Sequence, residues 1–277
     1  MNLQPKYVDI IAKIGECFEK MRSMRPLPKE GVAYFYNEFA ISSTHSSNAI
    51  EGNTFTYDET RLLLEKGITA SARSFREHED IVGYKQAFDF LLAAIKERLP
   101  ITEEFIKQLH SYVLKGQEGA GEYRTIQNFV GDILHVVYTP CKPSEVQEKM
   151  REFLDILSKD TAENIRLIQA DKPDFGKVFL SLAMHHILFE RIHPFVDGNG
   201  RTGRLLLTYE LILLGLLPVD IRYEERKRYY AALACYDDKS KYSTREDSKA
   251  EKLAKLLAES ELTSMQLWLK IFADYGD

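Results

Sequence analysis

Apolar residues recur three and four positions apart along most of this chain, the spacing of a buried helical face. The first such run covers about Tyr7 to Met24 and is stopped by Pro26 and Pro28. A second starts at Lys29 and leads through the Ser/Thr-rich stretch Ser42 to Ser47 into Asn48-Ala-Ile-Glu51-Gly52-Asn53, with Gly52 as its C-cap. Thr56-Tyr-Asp-Glu59 is a capping box, opening a short helix that closes near Gly67. Helices are then predicted from Ser74 to Arg98, from Thr102 to Leu114, from Pro143 through Leu157 and, strongly apolar, from Pro173 to Arg191. Glu224 to Tyr275 reads as two or more helices joined by the polar stretch Asp237 to Asp247, a candidate mobile loop. Only Tyr123 to Tyr138 breaks the rhythm. It is rich in β-branched and aromatic residues around Gly131-Asp132, which predicts a β-hairpin. A lone hairpin is marginal, so this one should lie on a helical body. The expected fold is all-α with one small hairpin.

Composition narrows the setting. The 277 residues are 44% hydrophobic, enough for one sizeable core or a core with a small lobe. A formal net charge of −5 gives no whole-chain attraction to nucleic acid or an anionic membrane. The cysteines, Cys17, Cys141 and Cys235, are scattered and lack metal-ligand spacing, which suits a reducing cytosol. The N-terminus has no basic start followed by an apolar run. Leu205 to Leu217 is too short to span a bilayer and carries Glu210 inside it. A cytoplasmic protein with no nucleic-acid or membrane partner is expected.

The chemistry gathers in His193-Pro-Phe-Val-Asp-Gly-Asn-Gly-Arg-Thr-Gly-Arg204. Pro194 disfavours a helical residue before it, so a helix must end near His193 and present the imidazole at a corner. Phe195 is a hydrophobic anchor. Asp197 is a hard oxygen ligand suited to Mg²⁺, which takes one or two carboxylates plus phosphate oxygens and water. Gly198-Asn199-Gly200 leaves backbone N–H groups free to converge on an anion at the next helix start. Arg201 and Arg204, three apart, can both reach one side, and arginine suits phosphate. A base, a metal ligand, an anion nest and two phosphate forks make a phosphoryl or nucleotidyl transfer site.

These residues resemble the Fic family, whose pattern H-P-F-x-[D/E]-G-N-G-R-x-x-R is met in full. The resemblance runs from about residue 35 to the C-terminus and implies a Fic-type helical bundle with a β-hairpin flap. It implies a protein adenylyltransferase that needs ATP and Mg²⁺ and moves AMP onto a Ser, Thr or Tyr hydroxyl of a protein substrate. His193 would deprotonate that hydroxyl and Asp197 would hold the metal. Gly198, Asn199, Gly200, Arg201 and Arg204 would bind the nucleotide phosphates. The flap, with Gln127, Asn128, Phe129 and Val130, would dock the target by strand addition. Gly200, where toxin-type members carry Lys, favours AMP transfer over phosphorylation. Tyr229 and Tyr230 stand where similar proteins place aromatics near adenine, or they are core. Asp237 stands where an adenine-binding Asn is common.

Ser47-Asn-Ala-Ile-Glu51-Gly52 matches the family's inhibitory pattern [S/T]-x-x-x-E-[G/N]. Its physical logic is competition for one cation: with Glu51 on Arg204, that arginine cannot take the γ-phosphate. The chain then divides into an N-terminal helical region, 1–100, carrying this brake, and a catalytic core, 101–277, packed as one compact unit. Removal of AMP from targets and a homodimer are both left open. Competing readings keep the fold with UMP or phosphocholine as donor, or make the chain a regulatory adaptor with little activity. A metal hydrolase built on His185, His186 and His193 lacks any HExxH-type spacing.

Overall fold

The computed structural model describes residues 5–24, 26–69, 73–131, 136–234 and 247–273. Helices dominate them: α1 Pro5–Ser23, α2 Lys29–Ile50, α3 Tyr57–Lys66, α4 Phe75–Glu97, α5 Glu103–Val113, α6 Val146–Gln169, α7 Phe175–Ile192, α8 Asn199–Leu213, α9 Arg226–Ala234 and α10 Asp247–Ala273. A two-stranded antiparallel hairpin, β1 Val130–Gly131 with β2 Val136–Tyr138, lies between α5 and α6.

Local chemistry sets several boundaries. Thr56 Oγ1 accepts from Glu59 N at 3.2 Å while Glu59 accepts from Thr56 N at 2.8 Å, the reciprocal box that starts α3. Gly67 ends it at φ 66°. Ser74 and Glu77 make a second box at the start of α4. Asp174 caps α7 through Lys177 N at 3.1 Å.

α7 is the axis of the fold. Nearly every residue from Phe175 to Ile192 is buried, as a helix apolar on all sides requires. It packs against α6, α8, α10 and α1. Tyr7 on α1 donates to the buried Gly176 carbonyl at 3.2 Å. α2 and α4 pack on α8, which brings the first hundred residues onto the motif helix. α4 comes close to the end of α5 at Gly83, where a Cβ would stand 2.5 Å from the Tyr112 carbonyl oxygen.

Three departures from the sequence reading have clear causes. α2 runs through the Ser/Thr-rich stretch as expected, Ser42 and Ser46 donating to Asp220 at 2.5 and 3.2 Å, but its C-cap is Glu51 and not Gly52, because Gly52 at φ 92° has already left the helix. α6 runs on to Gln169 instead of stopping near Leu157. Its inward positions continue at Phe153, Leu157, Asn164 and Ile168, but one is the polar Asn164, which donates to Ser181 on α7 at 3.1 Å. The hairpin is shorter than Tyr123 to Tyr138, since Gly131 pairs with Val136 inside it and residues 123–129 form no strand. Asp132, Cys235 and most of the stretch Asp237 to Asp247 lie outside the described residues.

The buried Arg124 explains that lost strand. Its guanidinium donates to the carbonyls of His193 (2.8 Å), Ile126 (3.2 Å), Cys141 (2.5 Å) and Ile192 (3.4 Å), tying the flap base to the end of α7. Charge-assisted bonds of this kind contribute about 1.5–3 kcal/mol each, and truncation strands their acceptors. Arg124→Ala is expected to lower the thermal midpoint by about 5 °C or more. A shift under a degree in thermal denaturation would contradict it.

His185 is also structural. It sits fully buried between Glu210, at 2.6 Å, and Asp160, at 3.1 Å. Burial disfavours its charge, yet Glu210 and Asp160 prevail and hold its pKa up at about 9. A raised folded pKa gives stability present in full below the ordinary value of 6.5 and lost as pH rises through about 9. The Tm advantage of the native chain over His185→Gln should therefore be larger at pH 6.5 than at 9.5. An unchanged gap would refute the charged form.

Candidate active site

The site forms where α7 stops. His193 leaves the helix in the left-handed region at φ 49°, ψ 60°, just before Pro194. Its Nδ1 lies 3.2 Å from the Glu190 carbonyl. A carbonyl only accepts, so Nδ1 carries the proton and Nε2 keeps its lone pair. Burial pushes the His193 pKa below the ordinary imidazole value, against the pull of the Glu190 bond and with help from Arg124. The group is a neutral base at physiological pH.

The loop after it is braced from inside. Phe195 is fully buried and stacks flat on His110 of α5, ring centroids 3.6 Å apart. His110 Nδ1 accepts from Gly121 N at 2.9 Å, so Nε2 is the donor to the Asp197 carbonyl, also at 2.9 Å. Burial lowers the His110 pKa to about 4, which keeps this neutral tautomer. Asn199 holds both the N–H and the carbonyl of Phe195 at 2.9 Å. The Asn199 side chain is therefore a loop clamp, and only its backbone is available to an anion. Gly198, at φ 73°, turns the chain into α8 and aims the positive helix end at the cleft.

Both motif arginines are held by residues from the first hundred. Arg204 is buried; its Nε donates to Ser47 Oγ at 2.8 Å, and its Nη2 to the Ser47 carbonyl at 3.0 Å and Glu51 Oε1 at 2.7 Å. Glu51 caps α2, and Gly52 follows at φ 92°. Gly200 has a packing reason to lack a side chain: a Cβ there would collide with Glu51 Oε1 and come within 3.0 Å of Arg204 Nη1.

Arg201 belongs to a ring of alternating charges. Arg201 meets Asp80 at 2.6 Å and Asp197 at 3.8 Å; Arg76 meets Asp197 at 2.7 Å and Asp80 at 3.9 Å. Arg76 and Asp80 come from the first two turns of α4. The Arg76–Asp197 edge is half-exposed, worth about 0–1 kcal/mol, and easily exchanged. Sequence reasoning missed Arg76, Asp80, His110 and Arg124, because only their partners lie in a motif.

A cleft of about 720 Å³ opens over these groups, lined by Glu51, His193, Asp197, Gly200 and Arg204 on one side and by Phe129, Val130 and Tyr138 of the flap on another. Tyr229 and Tyr230 line it too. Tyr229 is buried and its hydroxyl is hydrogen-bonded to His186 Nε2 at 2.6 Å, so it serves the core as well as the cleft wall. Tyr230 is half-exposed and donates to the Ile50 carbonyl at 3.2 Å, linking α9 to the end of α2. The four flap residues divide. Phe129 is exposed at the rim, with Val130 beside it. Asn128 instead donates to the carbonyls of Phe195 (2.8 Å) and Val196 (3.2 Å), and Gln127 to that of Pro140 (3.1 Å). These two side chains hold the flap base, which leaves their main chain as the part of the docking reading that remains.

Among the described residues there is no cluster of three or more His, Cys, Asp or Glu arranged to hold a metal. Of the two exposed carboxylates at the cleft, Glu51 holds the buried Arg204, whereas Asp197 has only the weakly held, half-exposed Arg76 as its nearest partner. That donor set fits Mg²⁺, which binds through one carboxylate when phosphate oxygens and water complete its shell. No helix among the described residues is long and apolar enough to cross a membrane.

Residues 100–211 match the Fic/DOC family. Protein adenylyltransferase fic-1 of Caenorhabditis elegans is 35% identical over 189 residues, covering 67% of this chain and 34% of its own length. Protein adenylyltransferase Fic of Nematostella vectensis is 32% identical over 229 residues, covering 81% and 49%. The chain thus spans between a third and a half of the length of these relatives. Among solved structures, a Fic domain containing signaling protein from Bacteroides thetaiotaomicron superposes with a TM-score of 0.84 at 25% identity, covering 94% of this chain and 96% of that one. Fic-1 from C. elegans superposes with a TM-score of 0.76 at 25% identity, covering 98% and 74%.

Proposed function

Since the chain belongs to the Fic/DOC family, we propose that it is a protein adenylyltransferase, moving AMP from ATP to a hydroxyl of a target protein, and that Glu51 holds it off. The observation that carries this is the set of groups lining one cleft: a neutral imidazole with its Nε2 lone pair free, a helix N-terminus, an exposed carboxylate and a buried arginine.

His193 Nε2 takes the proton of the target hydroxyl as its oxygen attacks the α-phosphorus of ATP. The new O–P bond forms as the bond to the β-phosphate bridging oxygen breaks, and pyrophosphate leaves with that electron pair. The start of α8 at Gly198, Asn199 and Gly200 offers backbone N–H groups to the phosphates, and Arg201 lies beside them. Magnesium, bound through Asp197, would supply charge neutralisation on the phosphate chain, with Arg76 released from that carboxylate. The edge of the β1–β2 hairpin, with Phe129 and Val130, would receive an extended target segment through main-chain bonds.

In the braked state Arg204 is held through Nε by Ser47 and through Nη2 by Ser47 and Glu51. A terminal phosphate must displace Glu51 to reach it. The test is incubation with ATP, UTP, CDP-choline and Mg²⁺ in turn, followed by intact mass of the chain and of mixed lysate proteins. An added AMP from ATP is the expected result; an adduct from another donor, or none from the Glu51→Gly chain, overturns it.

A further inference from the structure

One carboxyl in the cleft has no part in the chemistry above. Glu190 lies on α7 one turn before His193, which uses its backbone carbonyl and not its side chain. The side chain is only 14% exposed and lines the cleft, and its Oε1 is buried with no hydrogen-bond partner. Room for it is made by Gly203 of α8, where a Cβ would stand 2.5 Å from Oε1. A buried, unpaired carboxyl oxygen beside an arginine needs a reason.

The charged and titratable groups around Glu190 come from four elements. α8 contributes Arg204, and the end of α2 contributes Glu51. α9 contributes Tyr229 and Tyr230, both neutral, with burial raising Tyr230 to about 12. On α7, His186 Nε2 lies 4.0 Å from Oε1 and is hydrogen-bonded to the Tyr229 hydroxyl; burial lowers its pKa to about 3, so it is neutral as well. One cation therefore faces two carboxyls, and Glu51 already holds it. Burial raises the Glu190 pKa to about 8 against the lowering pull of Arg204, and Glu51 adds to the rise. A carboxyl kept neutral in this way is a hydrogen-bond donor, which a carboxylate is not.

We propose that Glu190 is a further nucleotide-contacting residue: protonated, it donates a hydrogen bond to the phosphate chain beside Arg204 once Glu51 has withdrawn, and ionised, it repels that chain and competes for the same arginine. This rests on the nucleotide-binding reading of the cleft and adds to it a proton linkage. Phosphate beside Glu190 raises its pKa further, so the bound state holds a proton that the free state loses. Affinity is then highest at low pH and falls as pH rises. In the Glu51→Gly chain the repelling charge of Glu51 is gone, so the fall is centred below the native value of about 8.

The experiment measures binding, not transfer, with an ATP analogue carrying a methylene between the α- and β-phosphorus atoms, in Mg²⁺, by calorimetry between pH 6 and 9. Glu51→Gly is expected to lose about tenfold in affinity across that range beyond any loss in Glu51→Gly/Glu190→Gln, since one pKa unit corresponds to tenfold. Parallel pH profiles for the two chains overturn the proposal. A second measurement needs no change at residue 190. At pH 8, where the analogue and His193 are deprotonated throughout, Glu51→Gly should take up protons on binding, read from heats in two buffers of different ionisation enthalpy. No uptake overturns the proposal as well. If the Glu51→Gly chain binds the analogue at no pH, it is the nucleotide-binding reading that fails. If it binds with the expected linkage yet transfers no AMP from ATP, only the enzymatic reading fails.

Discussion

Glu51→Gly is expected to raise AMP labelling of the chain or its targets by about 10- to 100-fold over the native chain. That range corresponds to the roughly 1.5–3 kcal/mol of a hydrogen bond to a charged group. The pair in question joins Arg204 Nη2 to Glu51 Oε1 at 2.7 Å. Arg204 is nearly inaccessible while the Glu51 side chain is 38% exposed, so the carboxylate can swing into solvent and the arginine cannot follow it. Ser47 stays behind to orient the guanidinium through its hydroxyl and carbonyl. Freed of Glu51, Arg204 is thus a preorganised cation with one side open to the cleft. Removing the partner of a buried charge normally costs stability. Here a phosphate replaces it, so the Glu51→Gly chain should gain more in Tm from added Mg·ATP than the native chain does. Equal labelling of the two chains in a radiolabelled ATP assay would refute the brake.

His193→Ala, made in the Glu51→Gly background, is expected to cut transfer by about 10²- to 10⁴-fold, the usual contribution of a positioned general base. Binding of nucleotide should survive, because the groups read as phosphate ligands lie on α8 and not on the imidazole. Fold should survive too. The His193 side chain makes one hydrogen bond, to Glu190 O, whereas its carbonyl, which alanine keeps, is the one that holds Arg124. A transfer rate within tenfold of the parent, at unchanged nucleotide affinity, would remove His193 from the chemistry. The base must be neutral to act, and burial depresses its pKa. Activity of the parent should therefore rise with pH from acid and level off below the ordinary imidazole range, before the Glu190 linkage bears on binding at higher pH.

Much of this architecture was legible locally. The capping box at Thr56–Glu59, the helix start at Ser74, the stop at Pro26 and Pro28 and the helix end before Pro194 all involve residues within about one turn of each other. Their energetics need no distant partner, so the sequence alone determines them. The run His193 to Arg204 is contiguous for the same reason, since a corner and a helix start can be built by neighbours in the chain. Ser47 and Glu51 were readable as a pattern, though a Ser and a Glu four apart mark many helices.

Only the tertiary structure decided what these groups meet. Arg76 reaches Asp197 across 121 positions, and Asp80 reaches Arg201 across another 121. His110 braces the motif loop from 87 positions away, and Arg124 grips the end of α7 from 69. None of these residues has a spacing or composition that sets it apart; each acquires its role when α4, α5 or the flap base packs on α7 and α8. Asn128, Gln127 and Asn199 show the same for side chains: theirs bond nearby backbone groups, since a buried carbonyl or N–H must be satisfied, a use no local pattern announces. The chain by itself sets its helices and the order of the reacting groups. Packing alone sets which charges face one another, because Coulomb and hydrogen-bond energies depend on distance in space and are blind to separation along the sequence.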